Sequence, residues 1–132
     1  MGKTRVFKAR WFQRFSRKEK IGDAVLLEAV ARAEKGQVDA DLGGGVIKQR
    51  IARPGQGKSG GYRSIIVFRK GERAVFLYGF SKSERANIDA DEEKQFREAA
   101  RHVLRLTEKQ IAELVKEGDF VEVNGHEQEI SE

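Results

Sequence analysis

The sequence predicts an α+β fold, a small and mostly antiparallel sheet with helices before and after it. Changes of period and a set of short turns carry that prediction. Apolar residues recur at helical spacing between residues 23 and 36 and again between 89 and 117. Between 46 and 80 they alternate with the period of two that a half-buried strand requires. The turns inside this middle block are glycine-containing, as antiparallel hairpins demand. Strands grouped in one run, without helices between them, argue against a parallel doubly wound sheet.

Taken in order, residues 4–11, TRVFKARW, alternate imperfectly and are expected to form a first strand with Phe7, Ala9 and Trp11 on one face. A short amphipathic helix is expected from Phe12 to about Lys20, its Phe12 and Phe15 three apart. Asp23 is placed to cap the next helix, whose Val25, Leu26, Ala29, Val30 and Ala33 fall on one stripe and which Gly36 stops. VDADLGGG then reads as an acidic, glycine-rich turn. Three strands follow: VIKQRIA at 46–52, YRSIIVFR at 62–69 and RAVFLYGF at 73–80, the last two joined by a tight turn at Lys70-Gly71-Glu72. Asp89 or Asp91 is placed to cap a further helix, whose first-turn acids complement its dipole. Phe96, Ala99, Ala100, Val103 and Leu104 form its buried stripe. Thr107 to Gln110 has the capping-box spacing T-x-x-Q. It opens a last helix with Ile111, Leu114 and Val115 inward and Gly118 at its end. DFVEV suits a short edge strand, and the final eight residues are polar. No internal repeat or linker divides the chain, so a single domain over 1–132 is expected.

The stretch Arg53 to Arg63, RPGQGKSGGYR, holds a literal G-x-G-x-x-G (Gly55, Gly57, Gly60) and the tripeptide Gly57-Lys58-Ser59. Both are fragments of phosphate-binding loops. A Walker loop needs a glycine five residues before its G-K-S glycine, and that position is Ala52. Both motifs must also open a helix, whose unsatisfied N–H groups bind the anion. YRSIIVF, which follows here, has the β-branched and aromatic content of a strand. The segment is therefore expected to be a hairpin loop, with Lys58 and Arg53 left to touch a polyanion's backbone.

Composition narrows the function. The chain has no cysteine and two histidines, His102 and His126, so disulfides, thiolate metal sites and a serine–histidine triad have little to draw on. WFQRF is too short and too charged for a signal sequence, and no apolar run approaches membrane-spanning length. A cytoplasmic location fits these features. Net charge is +5, unevenly spread: residues 1–20 and residues 48–73 each carry +7, residues 21–47 carry −3 and residues 74–132 carry −6. Positive charge concentrated in blocks suits a nucleic-acid backbone.

Lys48 and Arg50, two apart on a strand, project from one side of the sheet, with Ile47 and Ile51 on the other. Arg63 opens the next strand, and Lys82 and Arg85 follow the end of the third. Strands lie only about 5 Å apart, so these side chains are expected to converge into a cationic patch. Such a patch suits phosphoryl transfer, where charge builds on non-bridging oxygens and bidentate guanidinium groups stabilise it. Lys48 is placed for a phosphate contact or for a base, since a crowd of cations favours a lysine's neutral form. Electrostatic binding without chemistry accounts for the same spacing. Asp39 and Asp41 better explain a turn than a metal site, and Trp11, Phe12 and Phe15 are expected in the core.

The run from Gly43 to Ile88, GGGVIKQRIARPGQGKSGGYRSIIVFRKGERAVFLYGFSKSERANI, resembles the RelE/ParE superfamily of bacterial toxins, most closely its HigB-like branch, as do WFQRFSRKE and DADLGGG. The resemblance spans roughly residues 4–105, with a C-terminal helix and tail at 106–132. It implies the RelE-like fold, a cognate antitoxin (a helix-turn-helix DNA-binding protein) as partner, and no cofactor or metal. For the RelE branch it implies cleavage of mRNA on the ribosome, leaving a 2′,3′-cyclic phosphate and a 5′-hydroxyl. The implied catalytic residues are Lys48, Arg50, Arg63 of the G-Y-R motif, and Lys82, with Arg85 as the further basic position. Where some members place a tyrosine after K-x-E-R, this chain has Ile88 and Asp89. The ParE branch keeps the fold and inhibits DNA gyrase; a non-catalytic nucleic-acid-binding module is the remaining alternative.

Overall fold

The computed structural model describes residues 3–53 and 57–124, and of residues 53 and 57–60 the backbone alone. Ten elements follow in order: β1 (Arg5–Ala9), α1 (Arg10–Lys18), α2 (Asp23–Glu34), β2 (Ala40–Gly43), β3 (Val46–Arg53), β4 (Gly57–Arg69), β5 (Arg73–Ser81), α3 (Ala90–Arg105), α4 (Glu108–Glu117) and β6 (Phe120–Val123). The strands form one sheet in the order β2-β3-β4-β5-β1-β6, antiparallel except where β1 runs parallel to β5. This is the α+β, mostly antiparallel architecture that the change of period predicts.

The alternation along each strand divides the core into two. On one face Ile47, Ile51, Tyr62, Ile66 and Phe76 pack against Phe12 of α1 and Leu26, Ala29, Val30 and Ala33 of α2. On the other, Val46, Ile65, Val67, Val75 and Phe80 pack against Ala100 and Val103 of α3 and Ile111 of α4. Each of these large side chains contributes about 1.5–3 kcal/mol by leaving water, enough to fix the strand register, because a one-residue slip would turn both sets inside out. Capping is local and follows the sequence. Asp89 and Glu92 bond reciprocally at the start of α3, as do Thr107 and Gln110 at the start of α4. Gly36 and Gly118 take the left-handed conformation at the ends of α2 and α4.

Several expectations are corrected. The first strand stops at Ala9, and Trp11 lies in α1, which begins two residues before Phe12. Gly22, not Asp23, holds the N-cap position of α2; Asp23 is the first helical residue and pairs with Lys8. Part of the acidic turn is a strand, because residues 40–43 pair along β3 and only Gly44 and Gly45 turn the chain. The glycine-rich stretch is likewise mostly strand. β4 begins at Gly57, and Gly57 pairs with Arg53 across a bulge; the rest of the anticipated loop, residues 54–56, lies outside the described residues. Glycine inside a strand commonly marks a bulge of this kind. Val115 is 37% exposed, so α4 turns inward mainly Ile111 and Leu114. The polar tail from residue 125 and His126 lie outside the described residues.

β6 hydrogen-bonds to β1, which ties the C-terminal segment into the same sheet as the core. Buried Arg73 ties α3 down. Its Nη1 donates to the carbonyls of Val103 and Leu106, both at 2.9 Å, and so supplies a donor to carbonyls at the helix end. Among the described residues no helix is long and apolar enough to cross a membrane.

Candidate functional site

α3 and α4 cover only part of their face of the sheet. Beyond them, toward the end where β3 leads into β4, the pairing register sets Arg50 opposite Arg63, and Arg63 opposite Phe80 on β5. One row further in, Lys48 faces Ile65, and Ile65 faces Tyr78. Directly paired residues project to the same side with Cβ atoms about 5 Å apart. Lys48, Arg50 and Arg63 therefore share one surface, with aromatic side chains continuing each row across β5.

The backbone beneath them is fixed from the opposite face. Tyr62 and Ser64, which flank Arg63, are fully buried, and the Ser64 hydroxyl donates to the Gln49 carbonyl at 2.9 Å. Gln49 lies under α2: its Nε2 donates to the carbonyls of Ala29 (2.9 Å) and Gln37 (3.3 Å), and its Oε1 accepts from the Asp39 amide at 2.8 Å. Asp39 in turn accepts from the Arg50 amide at 2.6 Å and from its Nη2 at 3.4 Å. A hydrogen-bonded path thus runs from α2 to the guanidinium of Arg50.

The cations differ in what surrounds them. Lys48 Nζ donates to Asn87 Oδ1 at 3.0 Å. Arg50 has Asp39. Arg63 has a buried Nη1 with no hydrogen-bond partner among the described residues. A buried donor without an acceptor costs on the order of 1–3 kcal/mol, and like charges directly across a strand pair are destabilising as well. Neither arrangement serves folding, and an anion between Arg50 and Arg63 would relieve both.

Arg85 comes to the same face with its charge balanced locally. Its Nη1 and Nη2 donate to the two oxygens of Glu92 at 3.1 and 2.6 Å, Nη1 also to the Tyr78 hydroxyl at 3.2 Å, and Nε to the Asn87 carbonyl at 3.1 Å. The guanidinium lies 5.6 Å from the Phe80 ring centroid and 6.0 Å from that of Tyr78. The hydrogen bonds from Arg85 and from the Asp89 amide hold the Glu92 carboxyl below its ordinary range, and Glu92 with Tyr78 raises Arg85. Lys82 is exposed in the turn after β5, with no hydrogen bond or ion pair among the described residues. The side chains of Lys58 and Arg53 lie outside the described residues; their backbones extend β4 and β3 beyond the Arg50–Arg63 row.

Four participants escaped sequence reasoning as members of the site. Asp39 and Glu92 looked like turn and dipole residues, although their acidic character was the available signal. Asn87 gave none. Tyr78 lies outside the motif position where a tyrosine was sought, but its hydroxyl reaches Arg85 and its ring centroid is 4.5 Å from that of Trp11. Trp11 is 41% exposed, against the expectation of a core residue. The pairing of β1 with β5 ends at Lys8 opposite Phe76, so residues 77–81 of β5 have no paired strand on that side among the described residues, and Trp11 lies along the gap.

Fold and site together define a small α+β protein with an open, guanidinium-rich sheet face suited to a polyanion. A family model described as the RelE toxin of the RelE / RelB toxin–antitoxin system matches residues 4–123, and the chain belongs to that toxin family. The match runs past the expected limit near residue 105 and takes in α4 and β6. No curated protein matches the chain.

Proposed function

We propose that this toxin is a HigB-like, metal-independent endoribonuclease that cuts mRNA on the ribosome, in the cytoplasm, and is silenced by a cognate helix-turn-helix antitoxin. The observation that carries the reading is the buried, unpartnered Nη1 of Arg63 opposite Arg50. Cleavage needs no bound group in this scheme. The 2′-hydroxyl gives its proton to solvent and its oxygen bonds to the adjacent phosphorus; the P–O5′ bond breaks and the 5′-oxygen takes a proton from solvent. A 2′,3′-cyclic phosphate and a 5′-hydroxyl remain. Arg63 and Arg50 hold the non-bridging oxygens and stabilise the charge that grows on them. Lys48, oriented by Asn87, contacts the same phosphate, and Lys82 adds charge from the turn. Arg85 fixes Asn87 and the aromatic pair, while Lys58 and Arg53 meet the RNA backbone along the hairpin.

Mapping RNA 5′-ends in cells after brief induction tests this, with wild type beside Lys48→Ala/Arg63→Ala. New ends inside translated frames, absent from the double variant, are the expected result. Growth arrest without new ends, together with disturbed supercoiling, would replace nuclease action by gyrase inhibition.

A further inference from the structure

A second cationic surface lies on the α3 side of the sheet, at the end away from Arg50 and Arg63. It is a groove of about 600 Å³, and Arg69, Arg97, Arg101 and Arg105 supply all its polar side chains, with no carboxylate among the lining residues. Three of them sit four apart on α3, so that they succeed one another by about 6 Å along the helix. The opposite wall is the β2–β3 turn, and glycine is required there. Gly44 and Gly45 have positive φ, and a Cβ on Gly45 would come within 2.7 Å of Leu104. The stem of Arg97 lies across this bare turn, 3.4 Å from where a Gly44 Cβ would stand, and its Nη1 donates to the Leu42 carbonyl at 3.1 Å. Arg97 and Arg69 have weak acidic neighbours, Glu93 at 3.7 Å and Glu72 at 3.5 Å. Arg101 and Arg105 are exposed and have no hydrogen bond or ion pair among the described residues.

We propose that this groove is a second RNA-backbone site, which holds a part of the RNA distant from the phosphate being cut. The inference rests on the reading of the Arg50–Arg63 face as an RNA-cleaving face. Several features select phosphate over an acidic protein segment. The polar lining is guanidinium alone, whose planar fork fits phosphate oxygens in pairs. The bare glycine turn admits a backbone closely. The groove opens on the same side of the sheet as the cleavage face, so one strand can run from one to the other. An acidic protein segment would need apolar recesses between its charges, and Leu104 alone among the lining residues turns an apolar side chain to this face, since that of Phe68 packs into the opposite core.

The test measures binding of a labelled RNA hairpin across a salt series, with the full chain carrying Arg63→Ala so that RNA stays intact. Into it go Arg101→Ala/Arg105→Ala or, separately, Arg101→Lys/Arg105→Lys, and a further protein carries Arg50→Ala/Arg63→Ala. Each phosphate contact contributes about 0.7–0.9 to the slope of log affinity against log salt. The alanine pair is therefore expected to flatten the slope by about 1.5, while the lysine pair keeps most of it and both retain the parent melting temperature. An unchanged slope in the alanine pair overturns the groove, whatever the Arg50 variant does. A flattened slope in the alanine pair with no effect of Arg50→Ala upholds the groove and counts against the cleavage face. Loss of poly-glutamate binding with RNA affinity intact would overturn the inference in favour of an acidic protein partner.

Discussion

Arg50 and Arg63 stand directly opposite one another on β3 and β4, yet among the described residues only Arg50 has a carboxylate, Asp39, to balance it. The buried Nη1 of Arg63 is left without an acceptor among those residues. This asymmetry makes Arg63 the residue whose loss separates activity from stability. Arg63→Ala is expected to lower the cleavage rate by about 10²–10³-fold, the effect of removing one preorganised donor from a transition state. Its melting temperature should stay level or rise, since a like-charge pair disappears. Rate assays beside thermal melts check both, and a lowered melting temperature would make Arg63 a structural residue instead.

Arg85 and Glu92 give a pH-dependent term. The Glu92 carboxyl lies below its ordinary value of 4.5, chiefly because Arg85 donates to it. Its contribution is thus fully present above that pH and is lost as the pH falls through the lowered folded value. Glu92→Gln keeps a capping-box side chain and removes only the charge. The variant should melt below wild type near neutral pH, and the gap should close under strongly acidic conditions. A gap that persists in acid would assign the difference to packing.

Gly79 lies beneath α1, where an added Cβ would stand 2.6 Å from Phe15 Cε2 and 3.0 Å from Phe12 Cε1. Phe12 is fully buried, with its ring centroid 5.1 Å from that of Phe76, and has no room to yield. Gly79→Ala is expected to destabilise the protein by about 1–3 kcal/mol through overpacking. Urea denaturation measures this, and an unchanged midpoint would show that α1 lifts freely from the sheet.

Arg73 bonds two carbonyls at the end of α3 from a nearly buried position. Arg73→Met leaves the Leu106 carbonyl without its donor, while Val103 keeps the Leu106 amide, and should cost about 1–3 kcal/mol. Arg73→Lys should recover only part, because an ammonium lacks the planar fork that spans both. The same denaturation experiment distinguishes the two; full recovery by lysine would mean that charge alone is at work.

What sequence could show was whatever is decided within a few residues. Alternation put Lys48 and Arg50 on one face and Ile47 and Ile51 on the other, as the two cores show. Capping spacings marked the starts of α3 and α4. Period alone could not show that residues 40–43 and 57–61 would be strand, because Ala-Asp-Leu-Gly is too short to display alternation and the glycines at 57, 60 and 61 carry no side-chain pattern to read. Nor could it locate Trp11, whose parity with Phe7 and Ala9 suggested a strand that a helix had already replaced.

The sequence by itself determined the kinds of element, most of their limits and the grouping of the basic residues, since propensity, capping and period are properties of neighbouring residues. Tertiary structure decided which segments meet. β1 comes to lie parallel to β5 and stops short of its end, leaving the gap that Trp11 lines. Glu92 neutralises Arg85 across a turn, Asp39 just before β2 neutralises Arg50, and Arg63 keeps a donor unpartnered among the described residues. Charges as such are written in the chain. Whether each is balanced depends on distance, which only the register of the sheet and the packing of α2 and α3 against its two faces can set.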